Sequence, residues 1–208
     1  MYVVRPPIAL PLASLVPPPE LFTHASTLHG LAHVSRVMVH AFRLIAATGW
    51  AEEAPRLWAA VYLHDIARTH DGLCHRHGSD AMTRFETLSE VRDLFAQGGV
   101  TESDYPAIRT AVVHHCLPRE LVRSHAHWRL TSLLKDADGL DRVRLGDLDP
   151  RYLRNREAHD MVTFAEPRTG IVDAVMIRII RPNLIRSKSV SFSSRLELRV
   201  RRQQKSLV

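Results

Sequence analysis

The stretch LWAAVYLHDIAR, residues 57–68, is apolar on every side of a helical wheel and restricts the fold more than any other segment. A helix that is apolar all round is buried in the interior of a protein. This one nevertheless carries His64, Asp65 and Arg68. Burying an ionised carboxylate is costly unless it is paired or bound to a metal. Because His64 and Asp65 share one arc, the stretch predicts a buried helix that supplies two ligands to one cation.

The size and composition of the chain favour one folded domain with two extensions. The 208 residues, 45% of them hydrophobic, are sufficient for a substantial core. Prolines interrupt the apolar start, which argues against a signal peptide, and two cysteines do not make a disulfide framework. With no apolar run of about 18 residues to span a membrane, we expect a cytoplasmic protein. The predicted divisions are a Pro-rich arm (1–20), a helical metal-binding domain (21–165) and a basic extension (166–208).

The positive charge of the chain is concentrated at its C-terminal end. The formal net charge is +6, yet residues 181–208 alone contain eight Lys or Arg residues and a single acid, Glu197. The remainder is therefore close to neutral, so the overall charge does not identify a ligand of the core. A solvated charged tail is the favoured interpretation, and a nucleic-acid-binding arm is the alternative.

Hydrophobic periodicity and turn residues predict a series of helices before this extension. Gly49 ends the first helical segment, and Thr101 or Ser103 is a plausible N-cap of a later one. Apolar residues recur at helical spacing throughout, so the predicted fold class is all-α. The predicted helical segments are 21–49, 57–68, 80–97, 101–116, 128–145 and 150–165.

Histidines, thirteen in the chain, cluster on these predicted helices. In 21–49, three of them and an arginine fall within about 60° of one another on the wheel. Three helical turns span about 16 Å, which is too long for one metal ion, so His29 and His40 are expected to support or pack beside His33 rather than bind. The members of this strip are His29, His33, Arg36 and His40.

Three further segments offer candidate ligands. His114 and His115 end one predicted helix, and His77 immediately precedes another. In 128–145, Asp136, Asp138 and Asp141 all qualify, and the wheel does not decide which carboxylate is the ligand. Nitrogen and oxygen donors without thiolates favour Mn, Fe, Ni, Co or Zn, with Mg also admitted, in one or two ions. Such a site, with open positions, acidifies bound water and equips a protein for hydrolysis.

In order along the chain, the segments HGLAHVSRV, YLHDIAR, HG, VHH and LKDADGLDR resemble the HD superfamily of metal-dependent phosphohydrolases. The resemblance covers roughly 24–160 and is nearest to small stand-alone members. It implies an HD-domain-like helical bundle, in which Asp138 is chosen as the last ligand through the A-D-x-L pattern. No GYP follows the paired histidines, unlike the cyclic-dinucleotide phosphodiesterase subclass. The implied metal ligands are His33, His64, Asp65 and Asp138, with His77 and His114 or His115 available for a second metal.

The resemblance further implies hydrolysis of a nucleotide or another small phosphate ester by a metal-activated water. Arg68 and Lys135 are the candidate phosphate contacts, followed by Arg36. For Arg68, a salt bridge to Asp65 is an equal alternative, and Asp65 itself is a candidate both to bind metal and to orient the water.

Two other functions fit the same residues. The ligand set is similar to that of mixed-valence di-iron oxygenases on the same fold, which would require two iron ions. A non-catalytic nucleotide sensor or nucleic-acid binder would use the basic tail instead. The residues leave open which substrate is used, whether one or two metals bind, and whether the chain oligomerises.

Overall fold

A computed structural model describes residues 8–165 of the chain. Every regular element in this range is helical, which confirms the all-α prediction for it. None of the described helices combines the length and the apolar character needed to cross a membrane. The predicted tail, 166–208, lies outside the described residues. The helices are α1 (Leu31–Thr48), α2 (Ala54–Leu63), α3 (His77–Phe85), α4 (Ser89–Gln97), α5 (Tyr105–His115), α6 (Trp128–Asp141), α7 (Arg156–Asp160) and α8 (Val162–Ala165).

Helix α2 lies in the middle of the bundle and packs against α1, α3, α5 and α6. All its residues except Pro55 and Arg56 are buried, which confirms the prediction of burial on every side. Trp58 packs edge-on against Phe95, with 5.1 Å between the ring centroids. Its indole N–H donates to the carbonyl of Leu15 at 2.9 Å, so this part of the Pro-rich arm is held against the core.

The prediction of a single helix over 57–68 is wrong, because α2 ends at Leu63. His64 makes the last α-type backbone bond, to Ala60. Beyond it the N–H groups of Ile66 and Arg68 bond three residues back, which tightens the chain into turns. The Ile66 carbonyl accepts instead from the Thr23 N–H and the Arg84 side chain. His64 and Asp65 therefore lie on a tight turn at the end of the buried helix.

The first helix ends as predicted and begins later than predicted. Gly49 terminates α1 in the left-handed region, with φ of 72°. The helix starts at Leu31 rather than at residue 21, because the Ser26 hydroxyl accepts the N–H groups of Leu28 and His29 and forms a turn before it.

The predicted helix 80–97 is divided into α3 and α4. Bonds of the three-residue type at Glu86, Thr87 and Leu88 end α3 in a turn. At the end of α4, a Cβ added to Gly98 would lie 2.1 Å from the Trp58 ring, so only glycine fits this close approach. After the break, Phe95 of α4 packs against Trp58 of α2.

The predicted helices 128–145 and 150–165 are also shorter or interrupted. Helix α6 ends at Asp141 and passes into a 3-10 turn at Arg142–Leu145. In the second segment a 3-10 turn, Pro150–Tyr152, precedes α7 and α8. The chain is extended at Asn155 because its N–H and that of Arg154 donate to the Asp136 carboxylate.

Candidate metal centre

Four side chains from three elements converge at the end of α2. His33 lies on α1, His64 and Asp65 on the turn after α2, and Asp138 on α6. His33 Nε2 lies 3.2 Å from His64 Nε2, 3.4 Å from Asp65 Oδ2 and 3.3 Å from Asp138 Oδ1. His64 Nε2 lies 3.6 Å from Asp65 Oδ2. Donor atoms bound to one metal ion at about 2.0–2.2 Å are about 2.8–3.6 Å apart in adjacent positions. One donor atom from each of His33, His64 and Asp138 lies within 4.8 Å of the other two, so this first cluster could hold a cation.

The ring tautomers in the first cluster also fit a cation. His33 Nδ1 lies 2.7 Å from Asp141 Oδ2, and His64 Nδ1 lies 2.7 Å from the carbonyl of Val61. A carbonyl or carboxylate oxygen only accepts, so Nδ1 donates its proton in both rings. This leaves the Nε2 lone pairs facing each other, an arrangement that needs a proton or a cation between them. Histidine ligands of metals are commonly fixed through the opposite ring nitrogen in this way.

A second cluster adjoins the first through the other oxygen of Asp65. His77 is the first residue of α3, and His115 is the last residue of α5. Their Nε2 atoms are 2.9 Å apart and lie 3.2 and 3.9 Å from Asp65 Oδ1. Nδ1 of each ring lies within 2.8 Å of a backbone carbonyl, that of Cys74 or Val112. Asp65 therefore faces two histidine pairs, one with each carboxylate oxygen.

The carboxylates of the centre are strongly acidic. Burial would raise the pKa of Asp138, but the hydrogen bond and charge of His33 lower it to about 2. For Asp65 burial acts in the same direction, yet the electrostatic interaction with His64 and hydrogen bonds from neighbouring histidines lower its pKa well below the usual value. Both side chains are therefore ionised at neutral pH.

The two histidines of the first cluster are shifted in opposite directions. Burial lowers the pKa of His64 to about 4. Burial also acts to lower the pKa of His33, but hydrogen bonds to three aspartates, Asp138 foremost, raise it well above the ordinary value. At neutral pH His64 is neutral, whereas His33 holds the proton that a metal ion would displace.

Asp141 fixes His33 from outside the cluster. It is buried and accepts from His33 Nδ1, from the Arg36 side chain and from Arg144 Nε at 2.8 Å. Burial would raise the pKa of Asp141, but hydrogen bonds from His33 and Arg36 hold it far below its usual value. A carboxylate behind a histidine orients the ring and makes it a stronger donor to metal.

Asp136 stabilises the fold through hydrogen bonds to the segment after α6. Its side chain is fully buried and accepts from the N–H groups of Arg154 and Asn155 and from Asn155 Nδ2. Those bonds hold the chain after α6 against the helix. Of the three aspartates that the sequence left open, Asp138 is the one whose carboxylate joins the cluster of His33 and His64.

The remaining predicted site residues have mixed placements. Arg68 is buried, 3.7 Å from Asp65 Oδ1, with NH1 3.2 Å from His77 Nδ1. Lys135 donates to the Leu117 carbonyl and to Glu120 Oε1, at 3.0 and 2.7 Å, and lines an adjoining groove. His114, next to the clustered His115, is not in either cluster.

The two clusters open into a cavity of about 160 Å³. It shares lining residues with a groove of about 460 Å³ that extends along α6. His29, treated in the sequence as a supporting residue, reaches Asp65 Oδ2 with Nδ1 at 3.2 Å. Both cysteines are adjacent to histidines in the sequence, and this adjacency was a signal. The thiol and cationic cavity residues that sequence reasoning did not select are Cys74, Cys116, Arg142 and Arg144.

Buried histidine and aspartate groups in the described part of the chain can thus hold a metal ion. Comparison of the chain with protein-family models, with curated proteins and with solved structures found no match.

Proposed function

We propose that this protein is a metal-dependent phosphohydrolase that acts on a nucleotide or another small phosphate ester. The observation that carries the proposal is the close approach of donor atoms from His33, His64, Asp65 and Asp138, with Nε2 of one imidazole facing Nε2 of the other. These four residues would hold the first metal, and Asp65, His77 and His115 would hold a second. The proposal also rests on the resemblance of these segments to HD phosphohydrolases.

A divalent metal at this centre would supply Lewis acidity to a phosphoryl oxygen and lower the pKa of water for attack on phosphorus. The protein's own part is to fix the donors. Asp141 holds the His33 ring, and the Val61 carbonyl holds the His64 ring. Asp65 presents one oxygen to each histidine pair, so it sets the separation of the two positions.

Two cationic side chains at the cavity would bind the phosphate. Arg142 and Arg144 lie in the 3-10 turn that follows α6, four and six residues beyond Asp138, and both line the cavity. Arg142 is about half exposed and pairs with the exposed Asp147. A surface ion pair of this kind contributes little stability, so Arg142 can exchange Asp147 for a phosphate oxygen. Arg144 is held by Asp141 and the Leu28 carbonyl, and adds positive charge without moving.

Arg68 has a positioning part in the proposal. Its guanidinium lies beside His77, His29 and Asp65 and also donates to the Gly72 carbonyl. These contacts span both clusters. Arg68 therefore stabilises the Asp65 carboxylate, whereas the Cys74 carbonyl aligns the ring of His77 and Arg142 meets the substrate.

A phosphate-release screen tests the proposal. The purified chain is incubated with nucleoside mono- and triphosphates, a dinucleotide and p-nitrophenyl phosphate, with Mn, Co, Ni, Mg and Fe supplied in turn. We expect metal-dependent release that is lost in Asp138→Asn and kept in His159→Ala, an exposed histidine on α7 that serves as the control. No release from any of these compounds with any metal, from folded protein, would reject the hydrolase proposal.

The position of Asp65 favours a second candidate, a di-iron oxygenase. A carboxylate that faces two histidine pairs is suited to hold two ions close together. That function requires iron at both positions and consumption of oxygen. Iron analysis combined with an oxygen electrode separates the two, because the hydrolase releases phosphate without oxygen uptake.

A further inference from the structure

Cys116 lies beside the second histidine pair. It is the residue directly after α5, adjacent in the chain to His115, and it lines both the cavity and the groove. Its sulfur and one ring nitrogen from each of His77 and His115 all lie within 4.8 Å of one another. The cluster that Asp65 joins to the first metal position therefore includes a thiol as well as two imidazoles.

The contacts of this sulfur are weak enough to exchange. Cys116 Sγ lies 3.4 Å from the His75 carbonyl and 3.6 Å from the Val113 carbonyl, and a thiol is a weak donor. Sulfur and nitrogen bound to one ion at about 2.3 and 2.1 Å are about 3.6 Å apart in a tetrahedral arrangement. The position of this sulfur depends on one side-chain torsion, χ1.

We propose that Cys116 is a thiolate ligand of the second metal position, which thereby becomes a site for a thiophilic ion such as Zn²⁺ or Co²⁺. The inference rests on the proposed function's metal centre and assigns its second position an Asp65, His77, His115 and Cys116 donor set. On binding, the thiol releases its proton to solvent and the sulfur donates to the metal. The first position has two imidazoles and two carboxylates, so its donor set is harder, in the sense of hard and soft ligands, than that of the second.

The consequence is that the two positions differ in metal preference. Thiolate ligands select softer ions, whereas carboxylates suit Mn²⁺ and Mg²⁺. Loss of a residue that hydrogen-bonds to a metal ligand lowers metal affinity by about 10- to 100-fold. Loss of the thiolate, which is itself a ligand, should lower the affinity of the second position for zinc by more than this. The harder position should be unaffected.

Cobalt titration of the full chain tests this. Co²⁺ is added to the wild-type protein, to Cys116→Ser and to Cys74→Ser while the near-ultraviolet spectrum is recorded. Cys74 is the matched control, because it lines the same cavity and contributes its backbone carbonyl, not its sulfur, to His77. We expect a thiolate-to-cobalt charge-transfer band in the wild type and in Cys74→Ser, and none in Cys116→Ser.

A second measurement needs no variant. Iodoacetamide labelling of the wild type, read by mass spectrometry, should show that Zn²⁺ protects Cys116 by tenfold or more and leaves Cys74 reactive. Cobalt binding with ligand-field absorption but no charge-transfer band, or labelling of Cys116 unchanged by zinc, would overturn the thiolate ligand and leave the proposed function standing. Absence of any cobalt binding would overturn the thiolate ligand, and the phosphate-release screen decides the proposed function separately.

Discussion

Replacing Asp141 with asparagine should weaken metal binding although Asp141 does not itself face the metal position. The carboxylate accepts from His33 Nδ1 at 2.7 Å and is buried. A hydrogen bond to a charged group contributes about 1.5–3 kcal/mol, and a neutral one about 0.5–1.5 kcal/mol. Asp141→Asn keeps the shape and an acceptor, so the difference is about 1.4 kcal/mol, or about tenfold in affinity.

The assay is calorimetric titration of the metal-free protein with Mn²⁺, with circular dichroism to verify the fold. Asp93→Asn, the same substitution at an exposed position on α4, is the control and should bind like the wild type. An Asp141→Asn protein that is folded and binds Mn²⁺ within twofold of the wild type would refute the view that this carboxylate orients and strengthens His33.

Three further outcomes follow from the described contacts. Because the pKa of His33 is raised in the metal-free protein, Mn²⁺ uptake at pH 7 should release a proton, and affinity for Mn²⁺ should fall as pH decreases. Calorimetry in buffers of different ionisation enthalpy measures the number of protons released. Uptake of Mn²⁺ without proton release would contradict this prediction. Asp136→Asn should lower the free energy of unfolding in urea by about 1–3 kcal/mol and leave metal affinity within twofold, because Asp136 binds the backbone of Arg154 and Asn155. Gly98→Ala should destabilise by about 1–3 kcal/mol in the same assay, because its Cβ would meet the Trp58 ring at 2.1 Å, and unchanged stability would show that the ring gives way.

The pKa shifts also set the sign of the acid response of the metal-free protein. Asp138 has a folded-state pKa of about 2, below its ordinary value. Its contribution to stability is therefore complete above the ordinary pKa of an aspartate and is lost as pH falls through the folded-state pKa. His33 acts in the opposite sense. Its raised pKa contributes stability that is complete below the ordinary histidine value and is lost as pH rises through the folded-state pKa.

The burial of the central stretch was predictable from its composition, whereas its exact backbone was not. Apolar residues on all sides of 57–63 require an interior position, and α2 has one. The helix ends at Leu63, and the Ile66 carbonyl in the turn that follows bonds to Thr23 and Arg84, which are distant in the chain. Hydrophobic periodicity does not indicate such tertiary contacts, so it predicted a helix that continues to Arg68.

For the candidate ligands too, the sequence predicted the helix that carries them but not the tertiary contacts that distinguish them. The helical wheel placed carboxylates inward on α6 without separating Asp136, Asp138 and Asp141. Their roles differ through partners elsewhere: the backbone at Asn155 for Asp136, and Arg36 for Asp141. Likewise, the choice of His115 over His114 depends on which ring meets His77 at the end of α5.

Anomalous diffraction from crystals grown with Mn²⁺ tests the central claim most directly. We expect an anomalous peak about 2.0–2.2 Å from His33 Nε2, His64 Nε2 and oxygens of Asp65 and Asp138. Well-ordered crystals in which these four side chains surround no anomalous peak, at a manganese concentration that occupies other sites, would contradict it.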